Sequence, residues 1–207
     1  MREANDEPSL LQESLFYTGD TDKDGFFKIE HALIKNRYYP VKDLITDMIV
    51  KSGNDSTAVL FNRVDKNRLA QIYDDLGFSF PEESKPELIS AKIYSRLFRV
   101  LYSSKYLDRD LSEEVLKLLS EVEFKNALNL GVPDNIKIAH KFGERTTTLP
   151  NGVVERQLHD CGIIYYPDHP YFLCVMTKGN DFTKLEKIIA EVSSVAYTHW
   201  VEIWSQS

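Results

Sequence analysis

Three apolar segments between residues 136 and 179, separated by turn-forming residues, constrain the fold of this chain more than any other feature. Their apolar residues alternate or cluster as they do in strands, at 136–140, 157–166 and 171–177. Turn-forming residues stand between them, at 149–152 and 167–170. Strands joined by short turns pair with their neighbours in antiparallel order. The sequence therefore predicts a three-stranded antiparallel meander near the carboxyl end.

Helical periodicity dominates the rest of the chain. The amino end, residues 1–16, predicts the end of a helix and a short second turn, and 76–86 predicts a polar loop. Further helices are predicted at 41–51, 55–62, 87–102, 112–120, 124–130 and 183–200. In the helix at 112–120, Ser112 is the predicted amino-terminal cap. In the last helix, Thr183 and Glu186 form a predicted capping box. The predicted buried stripe of that last helix consists of Leu185, Ile188, Ile189, Val192 and Ala196.

Helices first, then three strands, then one helix is the order of an α+β fold, with helices packed on an antiparallel sheet. A chain of 207 residues is long enough for one domain with a full core. We expect a single domain over 1–207, with a mainly helical lobe at 1–135 and the meander plus carboxyl-terminal helix at 136–207.

Composition excludes several functions. A net charge of −7 argues against nucleic acid as a partner, because phosphate binding depends on clustered Lys and Arg. The longest apolar runs are too short to cross a bilayer, so no transmembrane segment is predicted. Residues 1–7 lack the apolar core of a secretion signal.

The only two cysteines, Cys161 and Cys174, lie on the two strands that flank the turn at 167–170. Folding that hairpin brings them nearly opposite each other, which allows a cross-strand disulfide. The alternative is two buried free thiols, which we favour because free Cys packs as a small hydrophobe.

One acidic segment suggests a non-enzymatic function, calcium binding. Asp20, Asp22, Asp24 and Gly25 match the first half of a calcium loop, in which alternating carboxylates and a turn glycine surround a hard cation. The second half does not match, because His31 occupies the place of the bidentate acid. We therefore predict no metal site. The non-enzymatic hypothesis is a non-catalytic binding module of the same fold, with calcium binding through residues 20–25 as its variant.

Two short motifs carry the candidate chemistry. Ser52-Gly53-Asn54 stands at a predicted helix junction, and Lys141-Phe142-Gly143 stands on the first predicted strand. Taken singly, each has a structural explanation, because Ser, Gly and Asn are common in helix links and a strand lysine is usually solvated. The two motifs occur in this order and on these elements, and that combination favours a functional site. By contrast, His159 and Asp160 are adjacent on a strand and point to opposite faces, which excludes a simple dyad.

These motifs and the order of elements resemble the penicillin-recognising serine hydrolases, and most of all the class A beta-lactamases. The resemblance implies an antiparallel sheet with a helical lobe and acyl transfer through a serine ester, on a beta-lactam or peptidoglycan-type amide, without a cofactor. It implies that Ser52 relays a proton and that Asn54 holds the substrate amide. Lys141 would supply positive potential, and the backbone N–H of Glu144, after Gly143, would be an oxyanion donor.

The sequence departs from that family in four places. No serine has a lysine three residues later, so the nucleophile motif Ser-x-x-Lys is absent. Gly53 replaces the middle aspartate of Ser-Asp-Asn, and Phe142 replaces the hydroxyl residue of Lys-Thr-Gly. The loop at 76–86 offers only Glu82 and Glu83 as bases for deacylation.

We expect a domain truncated before its nucleophile, with a pseudoenzyme that has lost the motif as the alternative. Truncation would leave 171–177 as an open apolar edge, and such an edge pairs with other chains. We therefore expect self-association. Members of the family act outside the cytoplasm, although these residues alone do not indicate a compartment.

Overall fold

The structure, a computed structural model, describes residues 1–19, 33–77 and 89–205. The chain divides into two compact units, residues 1–118 and residues 119–207. Each unit encloses its own cluster of buried apolar side chains.

The first unit is mainly helical. Its elements are α1 (Arg2–Asp6), a 3-10 turn (Pro8–Gln12), β1 (Ser14–Tyr17), β2 (Arg37–Pro40), α2 (Val41–Val50), α3 (Asn54–Arg63), α4 (Lys66–Leu76), α5 (Ala91–Tyr102) and α6 (Arg109–Ser120). Helix α2 buries Val41, Leu44 and Ile45, which pack with Leu60 of α3. The helices predicted on either side of Gly53 are therefore present, because apolar residues three and four apart share one helix face.

A two-stranded antiparallel ladder of β1 and β2 was not predicted. Leu15 pairs with Tyr39 and Phe16 with Tyr38, whose rings lie 5.0 Å apart between centroids. The helical interpretation of the amino end is therefore wrong from Ser14 onward. Strands of four residues are too short for alternation to distinguish them from a turn.

Helix α4 was also missed, although its ends carry ordinary signals. The Asp65 side chain accepts hydrogen bonds from the backbone N–H groups of Asn67 and Arg68 at the start of the helix. Gly77 ends it at φ 73°, a left-handed conformation that glycine adopts without steric cost.

The starts of two other helices in this unit differ from prediction. Helix α5 begins at Ala91 rather than residue 87, because the Ser90 side chain accepts a hydrogen bond from the backbone N–H of Ile93. Helix α6 begins at Arg109, where Asp108 accepts from the N–H of Leu111 at 3.0 Å. The predicted cap, Ser112, is instead a buried residue inside that helix.

The second unit contains the predicted meander. Its elements are a 3-10 turn (Leu128–Gly131), β3 (Ile138–Thr148), β4 (Val154–Ile164), β5 (Tyr171–Gly179) and α7 (Phe182–Trp204). The strands are antiparallel in the order β3-β4-β5, as predicted. Their bounds differ from the predicted segments, because β3 begins two residues later and ends at residue 148, β4 begins at 154 and ends two residues earlier, and β5 ends at 179. The predicted helix at 124–130 is wrong, since only the 3-10 turn forms there.

Helix α7 packs on β4, β5 and the 3-10 turn. It begins at Phe182, and its cap is Asp181, which accepts from the N–H groups of Thr183 and Lys184, rather than the predicted capping box. The buried residues of α7 are Phe182, Leu185, Ile189 and Ser193. Ile188 and Val192 of the predicted stripe are 45% and 41% exposed, because the face that the sheet covers is rotated toward Ser193.

None of the helices in the described part of the chain combines the length and the apolarity that a membrane crossing requires.

Candidate functional site

The first part of the candidate site is the junction between α2 and α3. Ser52 has φ 59°, a left-handed conformation that costs a residue with a side chain on the order of 1–3 kcal/mol. The backbone N–H of Gly53 donates to the Asp47 carbonyl at 3.2 Å, and the Gly53 carbonyl accepts from Thr57 Oγ1 at 2.7 Å. These bonds hold the junction in its strained form, with Asn54 exposed as the first residue of α3.

The second part is strand β3, which pairs with β4 and lies at one edge of the sheet within the described residues. Gly143 is exposed on this strand, and a Cβ atom built on it would meet no atom within 4 Å. Glu144, the next residue, is half-buried and stands opposite Leu158 of β4. The strand therefore presents bare backbone beside open space, which is where an extended ligand can contact a sheet edge.

The Lys141 ammonium group lies close to this open stretch. Its Nζ donates to the Phe142 carbonyl at 3.1 Å and stands 4.4 Å from the centroid of the Phe142 ring. Burial lowers the pKa of Lys141 to about 8, and the negative charge of Asp160 offsets part of that effect. Lys141 is therefore charged at neutral pH but loses its proton more readily than a solvated lysine.

Phe142 stands where the resembling family has a hydroxyl residue. Its ring stacks on that of Phe124, with centroids 4.1 Å apart. The two stacked rings therefore make this part of β3 apolar.

A buried pair that the sequence did not indicate lies under the same strand. His140 Nδ1 and Asp160 Oδ1 are 2.8 Å apart, and neither side chain is exposed. The second carboxylate oxygen accepts from the backbone N–H of Leu128 at 3.1 Å. The prediction that His159 is not the partner of Asp160 is consistent with this pairing. Recognising His140 as the partner requires the strand register, in which Phe142 stands opposite Asp160.

The two cysteines form a disulfide, so the interpretation as free thiols is wrong. Cys161 of β4 and Cys174 of β5 stand directly opposite each other in the ladder, with Cα atoms 3.9 Å apart. The register of the hairpin decides this outcome, because a shift of one residue would put the side chains on opposite faces.

Two predicted groups of acidic residues fall outside the described ranges. Asp20, Asp22 and Asp24 of the calcium hypothesis, and Glu82 and Glu83 of the deacylation loop, lie outside the described residues. Within residues 1–19, 33–77 and 89–205 no group of three or more His, Cys, Asp or Glu could hold a metal ion. The calcium hypothesis stays a prediction.

The predicted site residues fall into two groups. Ser52 and Asn54 belong to the first unit and flank Gly53, whereas Lys141, Gly143 and Glu144 lie together on β3 in the second unit. The first group has a serine at positive φ next to an exposed asparagine, and the second has a lysine ammonium close to an exposed glycine.

Comparison with solved structures shows the class of fold. TLA-3 extended-spectrum beta-lactamase matches with a TM-score of 0.79 at 17% identity, over 97% of this chain and 79% of that one. A penicillin G acyl-enzyme complex of a PBP-A mutant matches with a TM-score of 0.78 at 17% identity, over 97% and 76%. A class A beta-lactamase from Mycobacterium abscessus matches with a TM-score of 0.76 at 15% identity, over 96% of this chain and 79% of that one. Comparison with curated protein sequences returns no match.

The α+β fold, with its antiparallel meander and helices, is therefore that of the class A beta-lactamases and related penicillin-binding proteins. A family model described as "Beta-lactamase enzyme family" matches residues 1–200. The chain belongs to the beta-lactamase enzyme family.

Proposed function

We propose that this chain is a serine hydrolase domain that recognises a beta-lactam or a peptidoglycan-type amide. In this proposal Asn54 contacts the amide side chain of the substrate, and Ser52 is the hydroxyl that would relay a proton to a leaving group if acyl transfer took place. Lys141 attracts the negative charge of the substrate, and the backbone N–H of Glu144 donates to the oxyanion beside Gly143.

The observation that carries the proposal is the open face of β3 beside a lysine that retains its charge at neutral pH. A ligand that lies along Gly143 meets no side chain there, and the Lys141 ammonium is adjacent to it. An anionic amide gains electrostatic attraction and backbone hydrogen bonds at one place.

We propose further that these 207 residues bind such a ligand without forming an acyl-enzyme, because no serine in them has a lysine three residues later. A serine without a base to accept its proton is a weak nucleophile. The test incubates the protein with a fluorescent penicillin and measures both bound fluorescence and intact mass.

We expect reversible binding and no mass adduct. A covalent adduct on any serine would contradict the proposed lack of acylation. Equal affinity in the wild type and in a Lys141→Met variant would contradict the proposed site. Asn180→Ala, in the same unit, serves as a control for general effects of substitution.

Two further properties are proposed from the second unit. Strand β5 is the other edge of the three-stranded sheet among the described residues, and an edge with free backbone groups pairs with a second chain. Sedimentation should show a species larger than the monomer, and a monomer over the whole concentration range would contradict this expectation.

The Cys161–Cys174 disulfide supports an extracytoplasmic location, because disulfides persist in oxidising compartments. Protein recovered from its native cell under thiol-blocking conditions should contain no alkylated cysteine. Alkylation of both residues would contradict this location.

A further inference from the structure

The glycine in the middle of Ser52-Gly53-Asn54 is not explained by its backbone conformation. Gly53 has φ −60° and ψ 111°, which any residue can adopt. The space around it is what excludes a side chain. A Cβ atom built on Gly53 would lie 1.9 Å from Asp47 Oδ2 and 2.9 Å from the Asp47 carboxyl carbon.

Asp47, in the last turns of α2, therefore occupies the volume into which a residue at position 53 would project. Its carboxylate is hydrogen-bonded there. Ser56 Oγ, fully buried in the first turn of α3, donates to Asp47 Oδ2 at 2.6 Å. On the other side, Lys51 Nζ lies 4.0 Å from Asp47 Oδ1.

The backbone of the same residue also holds the junction. The Asp47 carbonyl accepts from the N–H of Lys51 at 3.0 Å and from the N–H of Gly53 at 3.2 Å. The two residues that these bonds tie down flank Ser52, whose left-handed conformation persists only if its surroundings enforce it. Asp47 thus links α2, the strained serine and the first turn of α3.

We propose that Asp47 is a positioning residue for Ser52 and Asn54, and that it supplies from α2 the carboxylate that Gly53 cannot carry. The Asp47 carboxylate and the lack of a side chain at position 53 are then coupled, because the two groups would occupy the same space. The carboxylate at this junction is attached to α2 and not to the residue between Ser52 and Asn54. The inference gives Asp47 a role within the binding site proposed above and rests on that proposed function.

The coupling between positions 47 and 53 predicts a specific pattern in a double-mutant cycle. Asp47→Ala removes the acceptor of the buried Ser56 hydroxyl and loosens the junction. Gly53→Asp alone is unfavourable, because its Cβ would overlap the Asp47 carboxylate. With Asp47→Ala and Gly53→Asp together, the space is free, and the Cβ position lies 3.4 Å from Ser56 Oγ, within reach of a new carboxylate.

The experiment measures two quantities for the wild type, both single variants and the double variant. The first is amide hydrogen exchange at positions 51 and 53, whose N–H groups donate to the Asp47 carbonyl and report the geometry of the junction without any ligand. The second is the dissociation constant for benzylpenicillin. Asp43→Ala, an exposed aspartate one turn earlier on α2, is the matched control.

We expect each single variant to accelerate exchange at the junction and to weaken benzylpenicillin binding by about tenfold, and the double variant to recover most of both losses. Asp47→Asn keeps an oxygen acceptor for Ser56. Its exchange rates and its dissociation constant should therefore lie between those of the wild type and of Asp47→Ala. Additive losses in the double variant would overturn the role of Asp47. If the wild type itself fails to bind benzylpenicillin, the proposed function fails, and the exchange measurements still decide the role of Asp47.

Discussion

His140 Nδ1 and Asp160 Oδ1 are 2.8 Å apart beneath strand β3, and both side chains are completely buried. The other oxygen of Asp160 accepts the N–H of Leu128, whose carbonyl in turn accepts from Ser193 Oγ on α7 at 2.9 Å. One carboxylate therefore connects β3, β4 and the 3-10 turn, and the chain of bonds continues to the terminal helix. The negative charge of Asp160 also favours the protonated form of Lys141.

We expect Asp160→Ala to lower the free energy of unfolding by about 3 kcal/mol, because it leaves the buried His140 ring and the Leu128 N–H without their acceptor. Urea denaturation followed by tryptophan fluorescence measures this, since both tryptophans, Trp200 and Trp204, lie on α7. Asp134→Ala, at an exposed position, is the control and should change the midpoint little. Equal effects of the two variants would show that the buried carboxylate does not support the unit.

Lys141 should make stability depend on pH in an unusual direction. Burial lowers the pKa of this lysine to about 8 from 10.5, so between these values the unfolded chain binds the proton and the folded chain does not. Stability from this group therefore rises as pH increases through that window. From about pH 7 to about pH 9.5 we expect wild type to gain about 2 kcal/mol relative to Lys141→Met.

Urea denaturation at several pH values measures the difference between the two proteins. Ligand binding should change in the opposite direction, because the neutral amine no longer attracts an anion. Benzylpenicillin affinity should fall above about pH 8. A pH-independent difference between wild type and Lys141→Met would contradict a lowered pKa.

Phe142 should control preference for a carboxylate on the ligand. Phe142→Thr restores a hydroxyl donor and removes the ring that stacks on Phe124. Phe142→Val is the matched control, because it removes the same ring and has the shape of threonine without the hydroxyl. Both variants should lose similar stability, about 2–4 kcal/mol, because both delete an aromatic side chain from its packing.

Only Phe142→Thr should gain affinity for benzylpenicillin over its methyl ester, by about tenfold. Isothermal titration calorimetry with the two ligands measures this preference. If Thr and Val variants show the same preference, position 142 does not contact the carboxylate.

Two glycines of the sheet should respond in opposite ways to the same substitution. Gly143→Ala places a methyl group in open space, so stability should change by less than about 0.5 kcal/mol while ligand binding weakens. In Gly162→Ala the new Cβ would lie 2.5 Å from the Cβ of His140 and 2.7 Å from the Ala139 carbonyl oxygen. The backbone of β3 cannot move away without disrupting its pairing with β4. We therefore expect the free energy of unfolding to fall by about 1–3 kcal/mol.

Urea denaturation and benzylpenicillin titration of both variants check this pair. A large loss of stability in Gly143→Ala, or unchanged binding, would show that the face of β3 at this residue is not the ligand surface.

The meander and most helices could be predicted because they depend on local periodicity. Strands β3, β4 and β5 each carry their own apolar pattern, and turn residues mark their ends. Helix ends were less predictable, because Asp108 and Asp181 compete with nearby serine and threonine residues as caps. The short ladder of β1 and β2 depends on pairing between segments distant in sequence.

The sequence alone determined the order of elements and the absence of Ser-x-x-Lys from these 207 residues. It also determined that Lys141 and Gly143 lie on the first strand of a meander. Tertiary structure decided which side chains meet. The disulfide, the His140–Asp160 pair and the Asp47 carboxylate at Gly53 all depend on register or on the packing of one helix against the next. Local sequence patterns set which face a residue occupies, whereas contacts across strands and helices depend on relative positions that only the folded chain establishes.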